Sequence, residues 1–325
     1  MSKSYKNIIE LLKSIYPSKR EDVVKSPRAH LYEYVLFPKM NHFKPIKHSD
    51  SKVRLYQYNP TGFLYRGQNK WYENITPKIY RKGIRDFKRF TYRLMLNELK
   101  IILDDHPIVQ DFIKSNFHVS VMGIAQHYGI PTEWIDFTAD PMVAAFFATS
   151  RGIDGKYEII KEGIGVIYKT PLLLYNQDGI ENCEILGFQP FVRPYVQKAY
   201  ALQYSKDVFL NWHEMKFLHN KDCSEKIFDY FKGGELLFPK DLLSEIVRRI
   251  IESNTFSKEA LIMTLHKYPQ YNQYCKKYLY HKEINVVDSS IHSFSEHEIS
   301  LIRSQYDTKI YNLIEEPLYF HKLDK

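Results

Sequence analysis

Polar residues of catalytic type punctuate otherwise apolar stretches of this chain. Arg66 stands in Phe63-Leu64-Tyr65-Arg66-Gly67-Gln68. An arginine near the end of a short apolar strand can hold a phosphate through two parallel hydrogen bonds, or pair with a buried carboxylate; the ligand role is favoured. Gly67 removes a side chain beside it, so that a ligand or another backbone can approach, and Gln68 adds an amide. Gln126 and His127 come just before Gly129. A histidine at a helix C-terminus is favourable with the dipole. In a cleft it would instead position a ribose or ring amide, or transfer a proton. Asp136 lies between Ile135 and Phe137, and on a strand it points away from both. A buried carboxylate needs a partner. Arg66 is the expected one, either as a structural ion pair or as an oriented pair at the base of a site. Thr138 points the same way as Asp136. Glu235 follows Gly233 and Gly234 and is either a solvated edge residue or a site carboxylate.

These residues need elements to position them. Ile8, Leu11, Leu12 and Ile15 share one face of a helix over 4–16 that Pro17 stops. Residues 17–60 read as loops around one short helix at 28–36. Phe63 to Gly67 reads as a strand. Helices are expected over 84–104 and 108–128, the second ended by Gly129 in a left-handed conformation and by Pro131. Trp134 to Thr138 is a strand, and Asp140 then caps a helix whose first residue is Pro141. That helix is apolar all round and must be buried. Further strands are expected at 165–169, 234–238, 283–287 and 309–319, and further helices at 240–252 and 257–267.

The first motif, with Gly123-Ile124-Ala125-Gln126-His127-Tyr128-Gly129-Ile130-Pro131-Thr132-Glu133-Trp134-Ile135-Asp136-Phe137-Thr138 and the Asp140–Ala148 helix, resembles the FRG domain family. That family is named for an aromatic-Arg-Gly strand, followed by Gln-His-aromatic-Gly-x-Pro-Thr, Leu-Asp-aromatic-Thr and Pro-x-x-Ala-x-x-Phe-Ala segments. Glu133 stands where the family often has Arg, and Ile135 where Leu is usual. Arg193 and Gln197 resemble a later family segment, with Ala199 where Gly is common. The resemblance divides the chain into an N-terminal helical and loop segment at 1–60, an FRG domain at 61–255 and a C-terminal α/β extension at 256–325. A second, weaker likeness is to the Arg–Ser–Glu ADP-ribosyltransferases. Tyr65-Arg66-Gly67 looks like their first motif, Asp136-Phe137-Thr138 their second and Glu235 their third. It implies an α+β core with a central mixed or antiparallel sheet flanked by helices. It also implies NAD as the substrate, held by Tyr65, Arg66, Gly67, Gln68, Gln126 and His127. Arg66, Asp136, Thr138 and Glu235 would be the catalytic set. Asp136 replaces an expected Ser, and Gly233 stands where a Glu or Gln helps choose the acceptor. NAD hydrolysis, or an acceptor other than arginine, is therefore open.

Composition sets the remaining bounds. The chain has 325 residues, 44% apolar and 26% charged, with 26 Tyr and 20 Phe, an ordinary globular composition rich in aromatics. Its net charge of +8 and pI near 9.0 modestly favour a polyanionic partner, but the basic residues are spread along the chain. Phosphate-loop, nucleophile-elbow and His-Glu-x-x-His motifs are absent. The 13 histidines lack metal-ligand spacing, so no metal is expected. Three separated cysteines, Cys183, Cys223 and Cys275, argue against a disulfide framework. With no bilayer-spanning stretch, the chain reads as cytoplasmic. Two functions follow. One is an NAD-using transferase or glycohydrolase, a toxin or effector in bacterial or phage conflict, with a protein or nucleic-acid acceptor. The other is a non-catalytic module that recognises a nucleotide or nucleic acid. The enzyme needs Arg66, Thr138 and Glu235 converging on one cavity of nucleotide size; the module can leave Glu235 remote.

Overall fold

A computed structural model of the chain describes residues 3–15, 43–47, 53–57, 63–72, 75–114, 118–153, 156–171, 183–186, 191–203, 212–280 and 284–305. Strands are β1 (Lys3–Tyr5), β2 (Phe43–Lys47), β3 (Val53–Gln57), β4 (Phe63–Gln68), β5 (Trp134–Thr138), β6 (Ser150–Ile153), β7 (Lys156–Ile159), β8 (Ile164–Pro171), β9 (Cys183–Ile185), β10 (Ala199–Gln203), β11 (His213–Leu218), β12 (Thr255–Ser257) and β13 (Asn285–Val287). Helices are α1 (Ile8–Ile15), α2 (Asp86–Asp104), α3 (Pro107–Lys114), α4 (Val121–His127), α5 (Pro141–Thr149), α6 (Val192–Val196), α7 (Lys221–Tyr230), α8 (Leu242–Ser253), α9 (Lys258–Lys267), α10 (Asn272–Tyr280) and α11 (Glu296–Gln305).

A seven-stranded mixed sheet runs in the order β1-β11-β8-β4-β5-β10-β9. Alternation along its central strands sorts side chains between two layers. Leu64, Ile135 and Phe137 pack with Cys183, Tyr200 and Leu202 on one side. Tyr65 packs on the other with α5, α1, Ile167 and Phe217. Asp136, between Ile135 and Phe137, is thereby kept out of the Leu64 layer. Helix α5 begins as its sequence dictates: Asp140 accepts the Met142 N–H at 2.9 Å, and Pro141 occupies the first turn, where its missing N–H costs nothing. Val143, Ala144, Ala145, Phe146 and Ala148 of α5 are buried, Met142 and Phe147 partly so, and the helix packs against β4. Contact between the two main chains is close because residue 67 is glycine: a Cβ there would lie 1.8 Å from the Ala144 carbonyl oxygen.

The second core joins Phe90, Leu94 and Leu99 of α2, Ile124 of α4 and Ile246, Val247 and Ile250 of α8 to Phe256, Tyr271 and Ile284. Residues beyond 255, expected as an extension, thus share a core with α2. A buried carboxylate strengthens the join, since Glu98 accepts both the N–H and the hydroxyl of Ser257 at 2.8 Å. Glu133, which departs from the family pattern, pairs with Arg93 at 2.6 Å, and the Arg93 guanidinium stacks 3.5 Å from the Tyr268 ring centre.

Several expectations are corrected. The helix expected over 108–128 is two, α3 and α4, because Ser120 caps a new start by accepting the Gly123 N–H. Residues 234–238 are not a strand. Gly233 and Gly234 have φ of 67° and 103°, left-handed values that turn the chain, and residues 232–234 form a 3-10 turn. Within 17–60, β2 and β3 pair antiparallel. The helix at 28–36 and the strand at 309–319 lie outside the described residues. Gly129 does adopt a positive φ of 101°. Among the described residues no helix is long and apolar enough to cross a membrane.

Candidate functional site

The sheet is split at its centre. β4 pairs with β8 over six positions and β5 with β10 over five. Between them, β4 and β5 share one aligned pair, Tyr65 with Thr138. Main-chain groups freed by this divergence need other partners. The Arg66 guanidinium supplies one: its Nη1 donates to the Asp136 carbonyl oxygen at 2.7 Å. A cavity of about 140 Å³ opens here, lined by Tyr65, Arg66, Gly67, His127, Asp136, Phe137, Thr138, Val143, Phe147 and Gln197. An engineered cavity of about this size accepts one benzene ring, so the enclosed part suits a single ring or pentose.

The expected Arg66–Asp136 carboxylate pair is not what forms. Arg66 binds the main chain, and its buried Nε and the buried Asp136 Oδ1 both lack hydrogen-bond partners. The group facing that carboxylate is His127, with Nε2 3.8 Å from Oδ1. Burial holds His127 below the usual histidine range, opposed by the Asp136 charge. Burial also lowers the Arg66 pKa, and the Asp136 charge opposes that shift. Tyr65 is pushed up to about 12, first by burial and then by Asp140, so it stays a phenol.

Gln197 orders this corner. It follows α6, and its side chain spans the site: Nε2 donates to the Leu237 carbonyl at 2.8 Å and Oε1 faces His127 Nδ1 at 2.9 Å. Its own carbonyl accepts the Thr138 hydroxyl at 2.7 Å. Ala139 N–H donates to the Lys198 carbonyl at 3.0 Å, and Lys198 Nζ reaches Asp140 at 2.7 Å. These links fix the start of β10 to the β5–α5 corner, and with it the position of His127.

The structure therefore gathers Tyr65, Arg66, Gly67, His127, Asp136 and Thr138 at one cavity. It does not gather the others. Gln126 accepts the Thr132 hydroxyl and ties the Gly129 turn instead of lining the cavity. Gln68 lies beyond the cavity wall with a buried, unpartnered Oε1. Glu235 is exposed, on a turn. The Thr138 hydroxyl donates to Gln197 and accepts from the Asp140 N–H at 3.0 Å, so it braces the corner. Gly67 serves the approach of α5 more than that of a ligand. Gln197 was legible only as part of a family-like segment. Its role depends on a contact to residue 127, seventy positions away, which no local pattern carries. Among the described residues no cluster of His, Cys, Asp and Glu is placed to hold a metal ion.

No curated protein and no solved structure matches the chain. The family comparison does find a match, and it takes in β4, α4, β5 and α5, the elements that carry Arg66, His127 and Asp136, while ending before Gln197. Residues 61–156 match the FRG domain family model, and the chain carries an FRG domain.

Proposed function

We propose that the cavity between β4 and β5 binds the ribosyl end of a nucleotide, NAD or a relative, and cleaves its glycosidic bond with Asp136 as the carboxylate. The observation that carries this reading is the unpartnered Asp136 Oδ1 set 3.8 Å from His127 Nε2, at a cavity that Arg66 also lines. The His127 side chain is 5% exposed and that of Asp136 38%, so the unpartnered imidazole nitrogen carries most of the desolvation cost. Functional sites are where such costs are retained. In cleavage, the nicotinamide nitrogen leaves with the bond pair and positive charge develops on the ribose. The Asp136 carboxylate stabilises that charge. Water or an acceptor hydroxyl adds to the sugar carbon and its proton passes to solvent. Arg66 answers a phosphate. The enclosed volume takes one ring, so the rest of a dinucleotide would lie outside it. This reading moves the carboxylate role from Glu235 to Asp136. The family likeness extends it to a toxin or effector in bacterial or phage conflict, tested by following the NAD pool of cells that express the chain.

A second reading, a non-catalytic recognition module, is favoured by one observation: Glu235 is exposed and outside the cavity. Nicotinamide release from NAD by wild type, Asp136→Asn and Glu235→Gln separates the two. Release that falls at least about 10²-fold in Asp136→Asn and persists in Glu235→Gln supports the enzyme. No release by wild type, with measurable nucleotide binding, supports the module.

A further inference from the structure

We infer that Gln197 is a positioning residue that fixes His127 in its Nδ1–H form, so that the pocket presents two adjacent acceptors and selects a ligand carrying a vicinal diol. This rests on reading the cavity as a ligand site, and does not require NAD cleavage. Gln197 lies 2.8 Å from the Leu237 carbonyl, an acceptor, so the atom facing it must be the NH₂ group. The other end of the amide is then the oxygen, and it faces His127 Nδ1 at 2.9 Å. An oxygen only accepts, so Nδ1 carries the proton. A neutral ring has one N–H, and Nε2 is therefore a bare lone pair.

That lone pair faces a second acceptor, Asp136 Oδ1, at 3.8 Å. Neither atom has a hydrogen-bond partner. A single acceptor of this kind is satisfied by water or any N–H. Two side by side match two hydroxyls on neighbouring carbons, one donating to each. Other charged and titratable groups around His127 are few. From β5, Asp136 favours protonation; from α6, Arg193 opposes it; Gln197 is neutral and supports it by accepting; burial outweighs them. Protonation would turn Nε2 into a donor aimed at Asp136, and the acceptor pair would close.

The test uses ribose 5-phosphate and 2-deoxyribose 5-phosphate as probes, with calorimetry on the full chain. Ribose 5-phosphate is expected to bind at least about 10-fold tighter, because the deoxy sugar leaves one acceptor unpaired. Equal affinities, or no affinity for either, overturn the diol. Nitrogen-15 spectra of histidine-labelled protein at pH 7.5 are expected to show His127 protonated at Nδ1 and bare at Nε2. An Nε2–H form, or an imidazolium, overturns the tautomer. Gln197→Glu keeps an acceptor for Nδ1 and adds negative charge. It is expected to raise the pH at which His127 protonates by at least about one unit, with the acid limit of probe binding moving with it. Gln197→Met, which removes the acceptor at Nδ1, is expected to let the proton populate Nε2 in those spectra, whereas a purely structural Gln197 would alter stability and leave the Nδ1–H form in place. Failure to release nicotinamide would refute only the cleavage reading.

Discussion

Replacing Gly67 with alanine tests the architecture that places Arg66. The added Cβ would sit 1.8 Å from the Ala144 carbonyl oxygen, 2.7 Å from its carbon and 2.8 Å from the Ala148 nitrogen. A carbon and a carbonyl oxygen approach to about 3.3 Å at closest, so strand and helix must part by roughly 1.5 Å. Both sides of the clash are main chain, and no flexible side chain can yield. A gap of that order forfeits at least a quarter to a half of each dispersion contact across it. The contacts at risk include those of Val143, Ala144, Ala145 and Ala148, all buried on α5. Overpacking costs about 1–3 kcal/mol where side chains can adjust, and here the upper end, about 3 kcal/mol, is expected. Thermal unfolding of this 325-residue chain should then fall by roughly 4 °C. Gly152 is the internal control: a Cβ there meets only the Tyr157 ring at 3.5 Å, an ordinary contact, and Gly152→Ala should stay within about 0.5 kcal/mol. Equal melting of Gly67→Ala and Gly152→Ala, both like wild type, would refute the close β4–α5 packing.

Further outcomes follow from the site and from the buried histidines. Arg66→Ala removes the hydrogen bond to the Asp136 carbonyl and should cost about 1–3 kcal/mol in a urea titration, together with ribose 5-phosphate binding; an unchanged urea midpoint would refute the main-chain role. His106, buried against the edges of Phe191 and Phe294, is pushed down from the ordinary histidine value of 6.5 to about 4 by burial. His127, His219 and His292 are lowered too, each chiefly by burial. Because these rings protonate more readily unfolded than folded, stability should be full above pH 6.5 and fall as pH drops towards 4. His106 alone should contribute a loss of roughly 2 kcal/mol by pH 5. Urea midpoints that rise between pH 7 and 5 would contradict this assignment.

What the sequence disclosed and what it withheld divide along physical lines. Trp134–Thr138, the Asp140 cap, Pro141 and the buried α5 are local matters of alternation, capping and apolar periodicity, and all are found where the residues put them. The same logic placed Asp136 opposite Ile135 and Phe137. It failed at Glu235, where apolar Leu236, Leu237 and Phe238 suggested a strand but two left-handed glycines turn the chain. It also failed at the break before α4, where Ser120 is read more easily as a residue inside a long helix than as a cap. Long-range facts were beyond it. That Arg66 would bind the Asp136 carbonyl instead of the carboxylate follows from the splaying of β4 and β5, which depends on strand register across the whole sheet. Gln197 enters the site only because α6 and the Leu237 turn meet there.

Whether Asp136 cleaves the glycosidic bond is tested most directly by nicotinamide release from NAD at saturating concentration, comparing wild type with Asp136→Asn and Glu235→Gln, each checked for an unchanged melting curve. The site described here predicts turnover by wild type, a loss of at least about 10²-fold in Asp136→Asn, and near wild-type turnover in Glu235→Gln. Turnover abolished by Glu235→Gln but retained by Asp136→Asn would contradict it, moving the chemistry away from the cavity between β4 and β5.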